Sequence, residues 1–256
     1  MHLTFVLLRS ADQLAPEAIV EAYSNLFGKH LATETGDVLT LRDPSGTEAM
    51  LTVVAAPIAT GEVEAAASLS VARFAGDIET THEAHIIVAT PDDSSANSRL
   101  RHSRIVAAIA EASDAVAIYD GGARAAHPKD FFLDVIGVEG FPVALWTGVA
   151  AVSAGEDDVQ FITVGLTTFD LPDLLVSFER DDADDALGFI LDVAEYMISR
   201  GAAPADGETI GRSDTEKYAV EHVRSPVDEE ATVVHLDFGR PLDVDGGGEA
   251  DTPSSQ

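Results

Sequence analysis

Arg99, Arg101 and Arg104 lie within six consecutive positions of a chain that has only 15 Lys and Arg in total. Guanidinium forks suit phosphate or carboxylate, and Arg101 and Arg104, three apart on a helix, share a face. These arginines fall in the first half of the expected helix, where the dipole disfavours positive charge. One reading is an anion-binding or acidic-partner-binding site at Arg99, Arg101 and Arg104. The other is pairing with the chain's own carboxylates, of which there are 45, and that reading is the more economical.

Other candidate chemistry is sparse. Asp206 and Glu208 are suited in type to acid–base work or to a hard cation, but two carboxylates without a third ligand make a poor cation site. Asp170 and Asp173 read as groups that cap and shape a turn. His82 and His85 are three apart at a strand, which sends them to opposite faces, and His102, His127, His222 and His235 are isolated in sequence. His85 reads as a strand-end histidine bonded to backbone. Gly121-Gly122 does not extend into a dinucleotide fingerprint, and there is no Walker loop, G-x-S-x-G elbow or S-x-x-K pair. These absences lead us to expect no catalytic residue, no metal and no cofactor.

The elements that must carry these residues are legible from periodicity. Leu3–Leu8 is a nearly continuous apolar run, as in a strand buried on both faces. Pro16 opens a helix whose inner face is Ile19, Tyr23, Leu26 and Phe27, and Gly28 closes it. Val38–Arg42 and Glu48–Ala55 flank the tight turn Asp43-Pro44-Ser45-Gly46. Glu62–Phe74 reads as an Ala-rich helix and His85–Ala89 as a buried strand. That order, strand-helix-strand-strand-helix-strand, is the split β-α-β arrangement of ferredoxin-like units. A helix over 96–113 and a strand over Ala115–Tyr119 follow, closed by Asp120-Gly121-Gly122, and Pro128–Phe132 starts a short helix. Val143–Val152 and Val159–Thr167 read as paired strands across the polar segment Ser153–Asp158.

The densest order lies in Phe161–Gly211. A strand over Phe161–Val164, a turn at Pro172 and a strand over Leu174–Phe178 lead into a long amphipathic helix. Asp181, Asp182, Asp184 and Asp185 crowd its start, Leu187, Ile190, Ala194 and Met197 form its inner face, and Gly201 stops it. Tyr218–Arg224 and Thr232–Phe238 bracket a last hairpin, and from Pro241 the composition is that of a disordered acidic tail.

Within this stretch, Thr163-Val164-Gly165-Leu166, Phe169, Leu171-Pro172-Asp173 and the Asp206–Gly211 block DGETIG resemble a bacterial family of domains of unknown function. The same pattern resembles a second uncharacterised bacterial family and, more loosely, suppressor-of-fused-like domains. The resemblance extends upstream through His85–Val88 and Pro142–Trp146, covering residues 80–240. The family pattern has Gly where this chain has Asp170, and Glu where it has Asp173. It marks His85, Trp146, Gly165, Phe169, Asp170, Pro172, Asp173, Asp206, Gly207 and Thr209 as motif positions of unknown role, and it implies no activity.

Composition sets the outer limits. At 256 residues and 46% hydrophobic, the chain is long and apolar enough for a sizeable core. No apolar run reaches spanning length, the start lacks a signal-peptide pattern, and there is no cysteine, so a cytoplasmic setting is the expectation. A formal charge of −30 repels phosphates and anionic lipid, which argues against nucleic-acid and membrane partners and suits a basic protein partner. The fold class expected is α+β, with mixed or antiparallel sheets, packed helices and a ferredoxin-like N-terminal unit. The expected organisation is 1–120 for that unit with an added helix and strand, 121–140 as a connecting segment, 141–240 as a C-terminal α+β unit and 241–256 as the tail. Two functions fit: a non-catalytic protein-interaction module of the immunity or regulatory type, or a hydrolase or ligand-binding enzyme with a composite site near 163–173 and 206–209.

Overall fold

The computed structural model describes residues 1–242 except 12–13, 37, 60, 92–93, 154–157, 212 and 214–215. The acidic tail from 243 onward, the middle of the Ser153–Asp158 segment and part of the 91–95 loop therefore lie outside the described residues.

The first half runs β1 (His2–Leu8), α1 (Pro16–Phe27), β2 (Ala32–Thr35), β3 (Leu39–Arg42), β4 (Glu48–Val54), α2 (Glu62–Ala67), β5 (Ala84–Thr90), α3 (Ala96–Glu111), β6 (Ala115–Asp120) and β7 (Ala125–Pro128). Among the described residues these strands form one antiparallel sheet in the order β2-β3-β4-β5-β1-β6-β7. Its centre, β4-β5-β1-β6, with α1 after β1 and α3 between β5 and β6, is the ferredoxin-like arrangement. The helix completing that unit is α3, not the Ala-rich segment at 62–74, and its last strand is β6. The 62–74 segment is itself broken. α2 stops at Ala67, and Ser70 starts a separate 3-10 turn, Val71–Phe74, by accepting the Ala72 amide at 3.2 Å. A side chain that bonds its local backbone in this way competes with helix continuation.

β1 is buried on both faces, as its sequence requires. Val6 and Leu8 join the core under α1 and α3, whereas Leu7 and the half-buried Phe5 pack on the other face against Val63 and Ala66 of α2. Pro16 opens α1 and Gly28 closes it in the left-handed conformation at φ 64°, but Leu26 is 39% exposed rather than on the inner face. The Asp43 carboxylate accepts the Ser45 and Thr47 amides at 3.0 and 2.9 Å, which fixes the β3–β4 turn.

The second half adds α4 (Lys129–Ile136), α5 (Val143–Trp146), β8 (Gly148–Ser153), β9 (Asp158–Val164), β10 (Leu174–Glu179), α6 (Ala183–Arg200), β11 (Thr209–Gly211), β12 (Lys217–Ala219), β13 (Glu221–Arg224) and β14 (Thr232–Asp237). Its mixed sheet has the order β13-β14-β10-β9-β8, with β10 and β14 parallel, and β11 and β12 form a separate ribbon. The apolar run Val143–Val152 is not one strand. After Pro142 it makes the single helical turn α5, then enters β8 at Gly148, where an added Cβ would sit 2.6 Å from the Ala123 carbonyl. β9 likewise ends at Val164, because Gly165 turns at φ 120° into the 3-10 turn Leu166–Phe169. α6 starts at Ala183 after a 3-10 turn over Arg180–Asp182. Asp182 makes no side-chain cap bond, so the nearby aspartates act through the helix dipole, and Gly201 ends the helix at φ 66°.

A continuous cluster of buried side chains runs from Val6 and Ile105 through Trp146 to Phe189 and Leu236, joining the two sheets. Two glycines separate conformation from space. Gly201 needs only its left-handed backbone, with nothing within 4 Å of an added Cβ; on Gly165 an added Cβ would also lie 2.8 Å from the Trp146 carbonyl and 2.9 Å from the Ala123 Cα. Gly201→Ala should therefore cost about 1 kcal/mol and Gly165→Ala about 3 kcal/mol or more. Equal urea midpoints for the two variants would contradict this packing.

Candidate functional site

The three arginines of α3 go to three different places. Arg99 is 1% exposed and forms an ion pair with Asp120, and its Nη1 lies 2.8 Å from His2 Nδ1. Asp120 Oδ1 also accepts the Gly122 and Ala123 amides at 2.9 and 2.8 Å. Arg99 is thus an internal residue that ties α3 to the β6–β7 turn. Arg101 Nε donates to Thr47 Oγ1 at 2.7 Å and lines a cavity of about 310 Å³ with Ser98 and the β3–β4 turn. Arg104 is half-buried with its guanidinium over the Phe27 ring, 5.5 Å from the centroid. The shared face of Arg101 and Arg104 meets other elements of the fold.

One helical turn beyond Arg99, His102 points into the same interior. Its Nε2 lies 2.7 Å from Thr4 Oγ1 and its Nδ1 3.0 Å from Thr90 Oγ1. Thr4 donates to Asp120 at 3.4 Å, so the pattern assigns the ring proton to Nε2 and leaves Nδ1 accepting from Thr90. Burial, then the charges of Arg99 and His2, holds the His102 pKa well below the ordinary histidine value. His127 on β7 is also fully buried, with Nδ1 2.7 Å from Ser70 Oγ, and burial lowers its pKa to about 4 against the opposing pull of Asp120 and the Leu145 backbone. These are neutral structural histidines. The sequence indicated the Asp120-Gly121-Gly122 turn but not its charge partner, and nothing near His127 marked it as buried.

The motif positions are architectural in their contacts. Thr163 Oγ1 and the Leu166 amide donate to Asp173 Oδ1 at 2.9 and 3.1 Å, and the Leu174 amide donates to Thr163 Oγ1 at 2.7 Å. Burial raises the Asp173 pKa, opposed by the Leu166 amide, the Thr163 hydroxyl and the Gly165 backbone. Asp170 is left-handed at φ 58°, a conformation that suits the glycine of the resembling pattern. Phe169 is buried 5.5 Å from the Trp146 ring, and Trp146 Nε1 donates to Ser103 Oγ at 2.9 Å. Pro172 precedes β10. His85 Nδ1 lies 2.8 Å from the Ala56 carbonyl. Asp206 Oδ1 accepts the His222 amide at 2.8 Å, Glu208 Oε2 accepts the Ala205 amide at 2.8 Å, and Gly207 turns at φ 80°. Gly211 is not left-handed; it is required because an added Cβ would meet the Glu216 carbonyl.

A cleft of about 630 Å³ opens where the β6–β7 turn meets the second sheet, and its walls include Gly122, Arg124, Thr163, Pro172, Asp173 and Val233. Thr209 lines a different cavity, about 460 Å³, between α6 and β11. The segments 163–173 and 206–209 therefore do not share one pocket. Among the described residues no group of three or more His, Asp or Glu side chains is placed to hold a metal ion, and no helix is long and apolar enough to cross a membrane.

Fold and site together define an α+β protein in which a ferredoxin-like antiparallel sheet shares its core with a smaller mixed sheet and a cleft lies at their junction. Residues 162–237 match a family described as a domain of unknown function (DUF4261). The match takes in the Thr163–Asp173 and Asp206–Gly211 blocks, while His85 and Trp146 lie upstream of it. No curated protein and no solved structure matches the chain.

The buried histidines set a pH dependence. The folded value for His127, about 4, lies below its unfolded value of about 6.5, so the unfolded chain takes up the proton first. The stability held by the neutral ring is complete above pH 6.5 and lost as pH falls toward 4, and His102 acts in the same direction. Asp173, with a raised pKa, acts in the opposite direction. Between pH 6.5 and 5, His127→Phe should flatten the decline in unfolding free energy by up to about 1.4 kcal/mol per pH unit. Parallel curves for variant and wild type in urea titrations would contradict it.

Proposed function

We propose that this chain is a non-catalytic protein-interaction module that engages a basic protein partner. The observation that carries the reading is the outer face of the first sheet. α2 covers this face only toward β1, β6 and β7, through Leu7, Ala117 and Ala126. Across β4, β5 and β1 the register sets Met50 beside Ala89 and Leu3, and Thr52 beside Ile87 and Phe5. Met50 is 49% exposed, Thr52 is exposed, and Leu3, Ile87 and Ala89 are half-buried. Glu34 lies in the same row as Met50 by way of Thr40, and Glu48 stands at the rim beside Arg42. An open, partly apolar sheet face with Glu34 beside it and Glu48 paired with Arg42 at its rim, on a chain of charge −30, suits a basic surface.

The immunity or regulatory role and the cytoplasmic setting rest on the resemblance to suppressor-of-fused-like domains and on composition. The hydrolase alternative draws less support. Its two segments line different cavities, and Asp173 Oδ1 is occupied by the Thr163 hydroxyl and the Leu166 amide. The test is capture from a lysate of the producing cells at low salt, with the immobilised full chain and a Met50→Lys/Thr52→Lys chain compared side by side. Wild type should retain a protein of net positive charge that the double variant releases. Identical capture by both, or capture only of acidic proteins, would contradict the proposal.

A further inference from the structure

Arg124 is the anomaly that the proposed interaction face does not use. It is an exposed arginine in the left-handed region at φ 51°, a conformation that costs a side chain with a Cβ about 1–2 kcal/mol. Strain of this kind persists where the surrounding structure over-determines the conformation, and it clusters at functional sites. Arg124 also makes no hydrogen bond or ion pair among the described residues, although the chain has 45 carboxylates. It stands just after Gly122 and Ala123, whose amides are held by the buried Asp120, so its place at the cleft is fixed from beneath.

The cleft it lines has the volume of a small-molecule pocket, about 630 Å³. Asp173 and Asp228 line it as well, and Ile162, Val164 and Val233 supply apolar wall. Asp173 keeps its Oδ1 on the Thr163 hydroxyl and the Leu166 amide, so an incoming cation would meet the carboxylate's second oxygen. Thr167 and Thr232 also line the cleft, and their hydroxyls have no hydrogen-bond partner among the described residues. One cation, two carboxylates and an apolar wall complement a ligand that carries a carboxylate and a cationic group on a short aliphatic stem. Thirteen of the 15 residues around the cleft fall within the matched stretch 162–237, Gly122 and Arg124 being the other two.

We infer that this cleft binds a basic α-amino acid, free or at the C-terminus of a peptide, with its carboxylate on the Arg124 guanidinium and its side-chain cation toward Asp173 and Asp228. Planar bidentate pairing explains an arginine at this position, since a lysine would supply only a point charge. The site is separate from the outer sheet face, so its failure leaves the interaction reading standing.

Calorimetric titration of the full chain with L-arginine and with the peptide Ala-Ala-Ala-Arg tests the inference. Agmatine, which lacks the carboxylate, and L-norvaline, which lacks the side-chain cation, serve as controls. At least one of the first two should bind, and each control at least tenfold more weakly. Binding of L-arginine alone assigns the free amino acid, and binding of the peptide assigns a chain end. Arg124→Gly relaxes the backbone, so it should unfold at the same or a higher urea concentration than wild type while weakening binding at least tenfold. Arg124→Asn, which also tolerates the left-handed region, should behave alike and serves if the glycine variant folds poorly. No binding by either ligand, equal binding of agmatine, or affinity unchanged in both Arg124 variants would overturn the assignment.

Discussion

The buried pair of Arg99 and Asp120 ties α3 to β1, β6 and the turn that follows β6. Both side chains are at most 5% exposed, and an ion removed from water to that extent is costly unless its partner and its remaining hydrogen bonds are in place. Here most are: Asp120 receives two turn amides besides the guanidinium, and Arg99 Nη1 donates to His2, while Arg99 Nε has no partner among the described residues. The pair fixes α3 against the ends of β1 and β6. It also shapes the Gly121–Ala123 turn against which the second sheet packs.

The contacts of that turn show how one constraint passes to the next. An added Cβ on Gly122 would meet Thr168 and the Arg99 guanidinium, and one on Gly165 would meet Ala123 and the Trp146 carbonyl. The 3-10 turn after β9 is thus seated on the loop that Asp120 organises. Trp146 and Phe169 fill the space beneath it, and Trp146 reaches back to Ser103 of α3. The cleft and its strained arginine sit at the outer edge of the same junction. A chain with a formal charge of −30 gains little from isolated surface ion pairs, whereas a desolvated pair acts at a place where salt does not screen it.

Local chemistry was legible wherever it is sufficient to determine structure. Pro16 and Gly28 bound α1, Gly201 ends α6, and Asp43-Pro44-Ser45-Gly46 makes its hairpin turn because a carboxylate two and four residues from backbone amides can hold them. The two-faced burial of β1 followed from its unbroken apolar run. What failed depended on distant partners. Val143–Val152 has a strand's composition, yet it makes the helical turn α5 after Pro142, and the close approach at Gly148 is to Ala123 and Leu69. The ferredoxin-like class was read from a shifted set of elements: Leu39–Arg42 lies outside the unit, and His85–Ala89 is its third strand rather than its last. The 62–74 segment is not its second helix, because Ser70 breaks that segment through a local bond and contacts His127 across the fold. Of the candidate site, the Thr163–Asp173 block was visible as a turn, but the burial of Arg99 depends on a carboxylate 21 residues away and the importance of Arg124 on a backbone angle.

The central claim is that the α3 arginine cluster contains an architectural ion pair on which the junction between the sheets depends. A double-mutant cycle in urea with Arg99→Met, Asp120→Asn and the combined variant measures it directly. Each single variant should lose about 3 kcal/mol or more, because it strands a buried charge or polar group, and the combined loss should fall short of the sum by about 2 kcal/mol or more. Losses that add to within about 0.5 kcal/mol, or single variants as stable as wild type, would show that the two residues are not coupled and would contradict the account.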